Sequence, residues 1–297
     1  MKDVKLAVRF GPKKLLSFNF HGATCTAHPS EIHEISLPER PCQCVVFSSV
    51  PVTLAPRRTL SFQKRLVYYC PARFPRYLVD LDCDFENYLG RLGSKTRSTL
   101  KRKVKKFTSA AHDENAFHEY KTPAELMEFY GIARELSKRT YQERLLEKGL
   151  PEGDAFLQEM LRLASTNSVR AYSLHMNGEA IAYLYSPAKN GILYYDYLGY
   201  DPNYAEFSPG SVLQWLAFER LFAEKEFRVY DFDEGEGQHK RTFATRRLDC
   251  AKLMVFAPNL KSTVYVLLNS TFLMLTAFSL RVSDILHVRS FLRKLYR

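Results

Sequence analysis

The sequence has few features that would mark a metal site, a redox site or a secreted protein. Its six cysteines include no pair spaced as CxxC, and the closest pair, Cys42 and Cys44, is too tight for the usual zinc spacing. The first 22 residues hold scattered charges and no uninterrupted apolar segment, so no secretory signal peptide is expected. We therefore expect free thiols in a reducing cytoplasm and no metal.

Acidic residues are also in the minority. Lys and Arg number 43 against 32 Asp and Glu, which gives a net charge of +11. This balance favours an anionic partner, and a nucleotide cosubstrate, tRNA and an acidic membrane surface all fit it. Residues 91–106 contain eight bases and no acid, and Arg97, Lys101 and Lys105 are the candidate anion-binding residues. Alternatively, these bases bind no partner and form the solvent-exposed face of a helix.

One long uncharged segment lies near the C-terminus. Residues 264–280 carry no charge, but they are few for a membrane span and include three consecutive polar residues. Residues 281–297 are basic and amphipathic, with apolar residues at helical spacing. Together these segments predict a helix that packs on the protein or lies on an anionic membrane surface, rather than one that spans the membrane.

The distribution of prolines and apolar residues divides the chain into three parts. Residues 1–84 are broken by prolines into short segments with strand character, which predicts a β-leaning N-terminal lobe. Residues 85–258 alternate helical and strand patterns and form the predicted main domain. Residues 259–297 form the apolar and then basic tail. The expected fold class is α/β, with a mixed sheet.

The clearest topological signal begins at residue 168. SVRAYSLHM, then Asn177-Gly178, then EAIAYLYSP predict an antiparallel hairpin, because Asn-Gly accepts the positive φ angles of a primed turn. A third strand ends at Tyr200, a helix is predicted at 209–225, and RVYDFD follows as another strand. This order predicts a meander, a helix, and then a strand that is parallel to its neighbour and splayed from it.

The segment between Tyr194 and Phe243 combines the features of a group-transfer cleft. A helix that opens on Ser208, Pro209, Gly210 and Ser211 beside a strand end is a candidate anion site, because its first amides have no partner within the helix. Ser208 is the expected cap, and Gly210 would let a ligand approach the backbone. Ordinary helix capping explains the same residues.

The strand after this helix brings carboxylates close to a lysine. Acyl transfer to an amine needs a base for the ammonium proton and donors for the oxyanion. Asp231 and Glu236 are the candidate bases, and Lys240 is the candidate oxyanion-binding or substrate-binding residue. An acidic turn with a structural ion pair gives the same pattern. His239 is expected to be exposed.

A tyrosine is a candidate proton donor for a leaving thiolate, and Tyr197 is the one we select. Strand alternation predicts Tyr195 and Tyr197 on one face, and Tyr194 and Tyr200 on the other. Packing with a satisfied hydroxyl group is the structural alternative for each of them.

Three motifs in this order resemble the C-terminal half of bacterial GNAT-fold acyltransferases: Gly199-Tyr-Asp-Pro, Ser208-Pro-Gly, and Asp231-Phe-x-x-Gly235 followed by Lys240 and Phe243. Within that fold, the chain looks like the CelD-like acetyltransferases of cellulose and exopolysaccharide synthesis, which are related to Fem-type peptidyl transferases. The resemblance runs from about Tyr88 to about Val255. It implies the GNAT fold, with residues 1–84 as a partial GNAT-like half.

The resemblance also implies a reaction. Acetyl-CoA or another acyl-CoA would bind at Ser208–Ser211 and Gly235, and the acceptor would be an amine on a cell-envelope or polysaccharide precursor. The basic-or-Gln-x-x-Gly-x-Gly/Ala pyrophosphate loop usual in this fold is absent, and only Gly210 remains of its glycines.

Three functions therefore stay open. The first is direct acyl transfer in a ternary complex, since no Cys-His or Ser-His arrangement for a covalent intermediate is evident. The second is Fem-type transfer from aminoacyl-tRNA, with residues 91–106 holding the tRNA backbone. The third is a catalytically degenerate scaffold at the membrane surface. The expected location is cytoplasmic and peripheral to the inner membrane.

Overall fold

The computed structural model describes residues 2–35, 37, 42–63, 65–111, 113, 115–140 and 149–285. The strands are β1 (Lys2–Phe10), β2 (Lys13–Cys25), β3 (Cys44–Pro51), β4 (Leu60–Gln63), β5 (Leu66–Asp80), β6 (Phe117–Tyr120), β7 (Val169–Met176), β8 (Glu179–Lys189), β9 (Ile192–Tyr194), β10 (Tyr197–Tyr200), β11 (Val229–Glu234) and β12 (Arg246–Phe256). The helices are α1 (Phe85–Arg91), α2 (Ser94–Ala111), α3 (Pro123–Arg139), α4 (Asp154–Ser165), α5 (Pro209–Glu224), α6 (Gln238–Phe243) and α7 (Leu260–Ile285).

The chain forms two compact units. One contains residues 1–75 together with 249–297, and the other contains residues 76–248. The helix α7 therefore groups with the N-terminal strands, whereas the sequence suggested a division at residues 84 and 258 with a separate tail. The predicted amphipathic segment beyond residue 285 lies outside the described residues.

The first unit is rich in strands. β1 and β2 form an antiparallel hairpin, β2 runs parallel to β3, and β3 runs antiparallel to β12. β4 pairs with the first part of β5. The helix α7 packs its Tyr265 and Val266 against an apolar cluster that includes Phe20 of β2 and Phe256 of β12. This cluster is the core that fixes α7 in the unit.

The second unit is built on an antiparallel meander. β6 pairs with β7, and β7 pairs with β8, both antiparallel. The residues of the β7–β8 turn, Asn177 and Gly178, have φ angles of 54° and 78°. Both angles are positive, so the predicted hairpin and its primed turn are confirmed. Helix α3 begins at a capping box between Thr122 and Glu125.

The strand after the hairpin is broken, and the break opens the sheet. β9 runs parallel to β11 from Ile192 opposite Val229 to Tyr194 opposite Asp231, and the amide of Tyr195 donates to the carbonyl of Asp231 at 2.9 Å. After this point β10 stays paired with β8, while β11 pairs with β5. The two parallel strands therefore separate, which confirms the predicted splay.

The same break changes the faces of the tyrosines. Tyr195 packs against Phe232, with ring centroids 5.4 Å apart, whereas Tyr197 packs against Phe156 and Tyr185, at 5.8 Å and 6.2 Å. The two tyrosines thus belong to different apolar clusters. The expectation that they share a face is wrong, because alternation holds only along an unbroken strand.

Helix α5 packs closely on β10, and Gly210 permits this. A Cβ atom on Gly210 would lie 3.1 Å from Cδ2 of Leu198, whereas one on Gly199 would lie 2.5 Å from Cε1 of Tyr183 on β8. Gly210 therefore serves the contact between α5 and β10, which gives it a packing role in addition to the predicted role in ligand approach. The packing holds the N-terminus of α5 beside the opening in the sheet.

Candidate active site

The N-terminus of α5 has no side-chain cap. Ser208 has the left-handed backbone angles φ 53° and ψ 48°, and its side chain accepts no hydrogen bond from the helix. The prediction that Ser208 caps the helix is therefore wrong, since capping by a serine hydroxyl group requires an extended backbone at that residue. Pro209 has no amide hydrogen, and the amide of Gly210 has no partner among the described residues. The positive end of the helix dipole is therefore available to a bound anion.

A lysine from α2 lies at this end of α5. Nζ of Lys103 donates to Oγ of Ser211 at 3.2 Å. Nearby, Nζ of Lys106 donates to the carbonyl of Glu206 at 3.0 Å and pairs with its carboxylate. The amides of Ser211 and Val212 donate to the carbonyl of Ser208 at 2.9 Å and 3.1 Å, so the amide of Gly210 is the one left in this turn. A cation beside a helix N-terminus is an arrangement that suits a phosphate group.

The three bases of α2 that the sequence singled out lie elsewhere on the helix. Nη1 of Arg97 donates to the carbonyl of Leu89 at 3.1 Å, so this residue binds the last turn of α1. Lys101 and Lys105 are exposed and form no ion pair within the described part of the chain. The base that reaches α5 is Lys103, which the sequence alone does not distinguish from its neighbours.

His239 is enclosed, although we expected it to be exposed. Its ring centroid lies 5.7 Å from that of Tyr195 and 5.0 Å from that of Phe243. The Nε2 atom is buried and has no hydrogen-bond partner among the residues that the structure describes. Burial, reinforced by the positive charges of Lys103 and Lys240, lowers the pKa of His239 to about 4. The imidazole is therefore neutral at neutral pH and has one nitrogen left for a ligand.

We expect His239 to destabilise the protein in acid. Its pKa falls from an ordinary 6.5 to about 4 on folding, so between these values the unfolded chain binds more protons and the free energy of unfolding decreases as the pH decreases. The full shift corresponds to about 3 kcal/mol. In urea titrations over this pH range, the free energy of unfolding of His239→Phe should decrease less on acidification than that of the wild type. The exposed control His21→Phe should show the same decrease as the wild type. An unchanged acid dependence in His239→Phe would contradict this explanation.

Asp231 is completely buried in an ion pair. Its Oδ2 accepts hydrogen bonds from Nε and Nη2 of Arg76 at 3.0 Å and 2.6 Å, and its Oδ1 accepts one from the amide of Asp233 at 2.8 Å. The carboxylate of Asp233 lies 3.0 Å from the same guanidinium group. Asp231 therefore orients Arg76 and shapes the end of β11, and its carboxylate has no contact with solvent.

Lys240 closes the turn that follows β11. Its Nζ donates to the carbonyls of Asp233 and Glu234 at 3.2 Å and 2.7 Å. Gly235 lies in this turn with a φ angle of 94°, which favours glycine. Burial lowers the pKa of Lys240. The carboxylate of Glu236 accepts a hydrogen bond from the hydroxyl group of Tyr77 at 2.7 Å. The loop thus has a fixed shape beside the opening.

A carboxylate that was not among the predicted site residues lies at the break between β9 and β10. Asp196 follows the last paired residues of β9 and keeps access to solvent. Even so, the protein atoms around it, together with the charge of Asp233, raise its pKa to about 6. A carboxylate with such a pKa is suited to accept a proton near neutral pH. The signal in the sequence was an aspartate within a run of tyrosines, because aspartate is rare inside strands.

Two groups of residues are thus brought to the opening. The first consists of the α5 N-terminus, Ser208–Ser211, with Lys103 and His239. The second consists of Asp196, Asp231, Gly235, Glu236 and Lys240. Tyr197 packs in a different cluster. Within the described ranges, no three His, Cys, Asp or Glu residues are placed to hold a metal ion.

Comparisons with known proteins identify this arrangement at the level of the fold. A family model for an acetyltransferase (GNAT) domain matches residues 94–241, which include α2, the opening, α5 and Lys240. A comparison with curated proteins gives no match.

Similar solved structures include the C-terminal domain of an Agrobacterium fabrum protein named as a lysylphosphatidylglycerol synthetase, with 12% identity and a TM-score of 0.51 over 77% of this chain and 72% of that one. L-PGS from Bacillus licheniformis has 15% identity and a TM-score of 0.46 over 76% and 72%, and FemX has 10% identity and 0.44 over 66% and 64%. At these identities the likeness concerns the fold.

The predicted GNAT fold is confirmed, whereas the CelD-like subgroup stays a prediction. The chain has the GNAT fold, and the acetyltransferase domain at residues 94–241 makes it a GNAT-type acyltransferase.

Proposed function

We propose that this protein transfers an acyl group, acetyl first among them, from an acyl-CoA thioester to the amine of an acceptor. The observation that carries the proposal is the uncapped N-terminus of α5 with Lys103 beside it, next to the opening between β10 and β11. Pyrophosphate is an anion that such a helix end can bind. The edge of β10 that faces away from β8 and does not pair with β11 can pair with an extended, amide-containing chain such as pantetheine.

The residues present also compensate for the missing glycine-rich loop. Lys103 brings to α5, from a different helix, the positive charge that the basic residue of such a loop would supply. The buried Nε2 atom of His239 offers a further hydrogen bond close to the same lysine. Both observations support a phosphate-containing donor, even though Gly210 packs against β10.

We assign the proton transfer to Asp196. An alkylamine is protonated at neutral pH, so a base must first take its proton. The amine nitrogen then attacks the thioester carbonyl carbon, the C–N bond forms and the C–S bond breaks. The attacking nitrogen loses its second proton and the leaving thiolate takes up one proton, which gives the amide and the free CoA thiol. Lys240 and the amides of its turn supply positive charge for the oxyanion. Asp231 positions the turn through Arg76, and Glu236 is the alternative base. Tyr197 stays the predicted proton donor for the thiolate.

The acceptor follows from the family resemblance only. We propose an amine on a cell-envelope or polysaccharide precursor, modified on the cytoplasmic side of the inner membrane.

Calorimetric titration of the full chain with CoA and acetyl-CoA tests the proposal. We expect saturable binding that Lys103→Ala weakens about 10- to 100-fold, the range expected for one charge-assisted hydrogen bond. The matched control is Lys95→Ala, which removes an exposed base of the same helix that forms no ion pair among the described residues. Absence of CoA binding, or equal losses in the two variants, would contradict the proposed donor site.

Transfer from aminoacyl-tRNA is the second candidate, and the exposed bases of α2 favour it. Lys95, Lys101, Arg102 and Lys105 are all exposed, with no ion-pair partner in the described part of the chain. The name of the Agrobacterium protein denotes a lysyl group on a phospholipid, so an aminoacyl group is the alternative transferred group that we consider for this fold. In that case tRNA affinity should fall steeply with salt, by about 0.7–0.9 logarithmic units per phosphate contact for each tenfold rise in salt, without CoA binding. The degenerate scaffold predicts binding of neither ligand.

A further inference from the structure

Two histidines lie side by side on one face of the β6–β7 pair, outside the candidate active site. His118 stands opposite Ser173, and the amide of His175 donates to the carbonyl of Ala116 at 2.7 Å. His118 and His175 are therefore diagonal neighbours on the same face of the two strands. Their ring centroids lie 4.5 Å apart, and the ring planes are inclined by 56°. The register of the strands thus holds two imidazoles in contact.

The separation of the two rings matches that of two imidazoles on a single metal ion. With metal–nitrogen bonds of about 2.1 Å and an angle of about 90–110° between them, the ring centroids lie roughly 4.5–5.3 Å apart. The observed 4.5 Å falls at the short end of this range. Binding one ion through both rings therefore calls for no change in the distance between them.

Two hydroxyl groups hold the ring of His175. Its Nε2 lies 2.8 Å from Oγ of Ser173, which in turn lies 2.9 Å from the hydroxyl oxygen of Tyr120. When Nε2 carries the proton and donates to Ser173, the lone pair of Nδ1 is left for a metal ion. Metal-binding histidines usually donate their second ring N–H in this way, which orients the ring.

The charges around the pair also suit a shared cation. His118 is exposed, and it forms no hydrogen bond or ion pair among the described residues. Burial, together with the charge of His118, lowers the pKa of His175, whereas the carboxylate of Asp113 raises it. Two protonated rings would repel each other at this distance, and one metal ion bound to both neutral rings avoids that repulsion. The charge of Asp113 would attract the ion.

We propose that His118 and His175 bind a divalent late transition-metal ion, Zn²⁺, Ni²⁺ or Cu²⁺, with water completing its coordination. Imidazole nitrogen suits these ions, whereas Mg²⁺ and Ca²⁺ prefer oxygen ligands. No group of three His, Cys, Asp or Glu ligands occurs in the described ranges, so this open site is weaker than a structural zinc site with four protein ligands. The bound ion would join β6 to β7. This inference does not depend on the identity of the acyl donor.

Calorimetric titration of the full chain, free of any affinity tag, with NiCl₂ and ZnCl₂ tests the proposal. We expect one ion per chain and no binding of MgCl₂. Ser173→Ala should weaken the binding of both ions about 10- to 100-fold, the usual cost of removing the partner that orients a metal-binding histidine. His118→Ala removes a ligand itself and should weaken binding by more than about 100-fold.

The matched control is His21→Ala, which removes an exposed histidine of β2. It should bind both ions as the wild type does. Saturating Ni²⁺ should raise the Tm of the wild type and of His21→Ala but leave that of His118→Ala unchanged, because only binding to the folded state stabilises it. Thermal unfolding in EDTA should show that all variants are folded. A wild type that binds neither ion would overturn the proposal. So would undiminished binding by His118→Ala, or equal losses in His118→Ala and His21→Ala.

Discussion

Asp196→Asn should lower kcat for acyl transfer by about 10²- to 10⁴-fold, the usual contribution of a positioned general base. The asparagine keeps the size of the side chain and its exposure but removes the group that accepts the ammonium proton. Release of CoA thiol in the presence of a panel of amines measures the effect. Because the residue lies at a strand break and keeps access to solvent, we expect the fold and CoA affinity to be unchanged.

The pH dependence gives this prediction a second readout. The surroundings of Asp196 raise its pKa to about 6, so the carboxyl group is protonated and inactive as a base below that pH. In the wild type, kcat/KM should therefore rise with pH through about 6, and in Asp196→Asn this inflection should be absent. Glu236→Gln is the control, and a larger loss in that variant would assign the base to Glu236 instead.

Asp231→Ala should destabilise the protein by about 3–5 kcal/mol, which makes it the substitution with the largest expected effect on folding. It would remove the buried carboxylate partner of Arg76, which is only 7% exposed, and leave that guanidinium group with the 54% exposed carboxylate of Asp233 alone from this pair of aspartates. Urea denaturation measures the loss. Asp80→Ala is the control, because it breaks the more exposed pair with Arg246 and should cost at most about 1 kcal/mol.

A double variant separates the two roles of Asp231. Arg76→Met with Asp231→Leu removes both charges together and should recover much of the lost stability, since an apolar pair of similar volume replaces a buried ion pair at little cost. A stable Asp231→Ala protein that has lost activity would contradict our assignment and return Asp231 to the role of base that the sequence first suggested.

Local sequence signals were sufficient for much of the fold. Asn177-Gly178 predicted its turn, and Pro209 predicted the start of α5; the cap residues Asp84 and Thr122 stand where α1 and α3 begin. Each of these depends on backbone preferences of one to four adjacent residues, which the sequence displays directly.

The site depended on contacts that no local pattern contains. Arg76 reaches Asp231 across 155 positions, and Lys103 reaches Ser211 across 108. The sequence offered eight equivalent bases in residues 91–106, and only the packing of α2 on α5 distinguishes Lys103. β9 pairs with β11, but β10, which follows the break at Asp196, pairs with β8 instead. The even alternation assumed for the tyrosines therefore fails at this break.

The most direct measurement of the central claim is hydrogen exchange of the full chain with and without saturating CoA, read by mass spectrometry. If the donor lies at the N-terminus of α5 and along the free edge of β10, peptides that cover residues 195–214 and the part of α2 around Lys103 should gain protection. Peptides of β1 and β2 should not change. Saturated binding with protection confined to other segments, or with no protection at residues 195–214, would contradict the site proposed here.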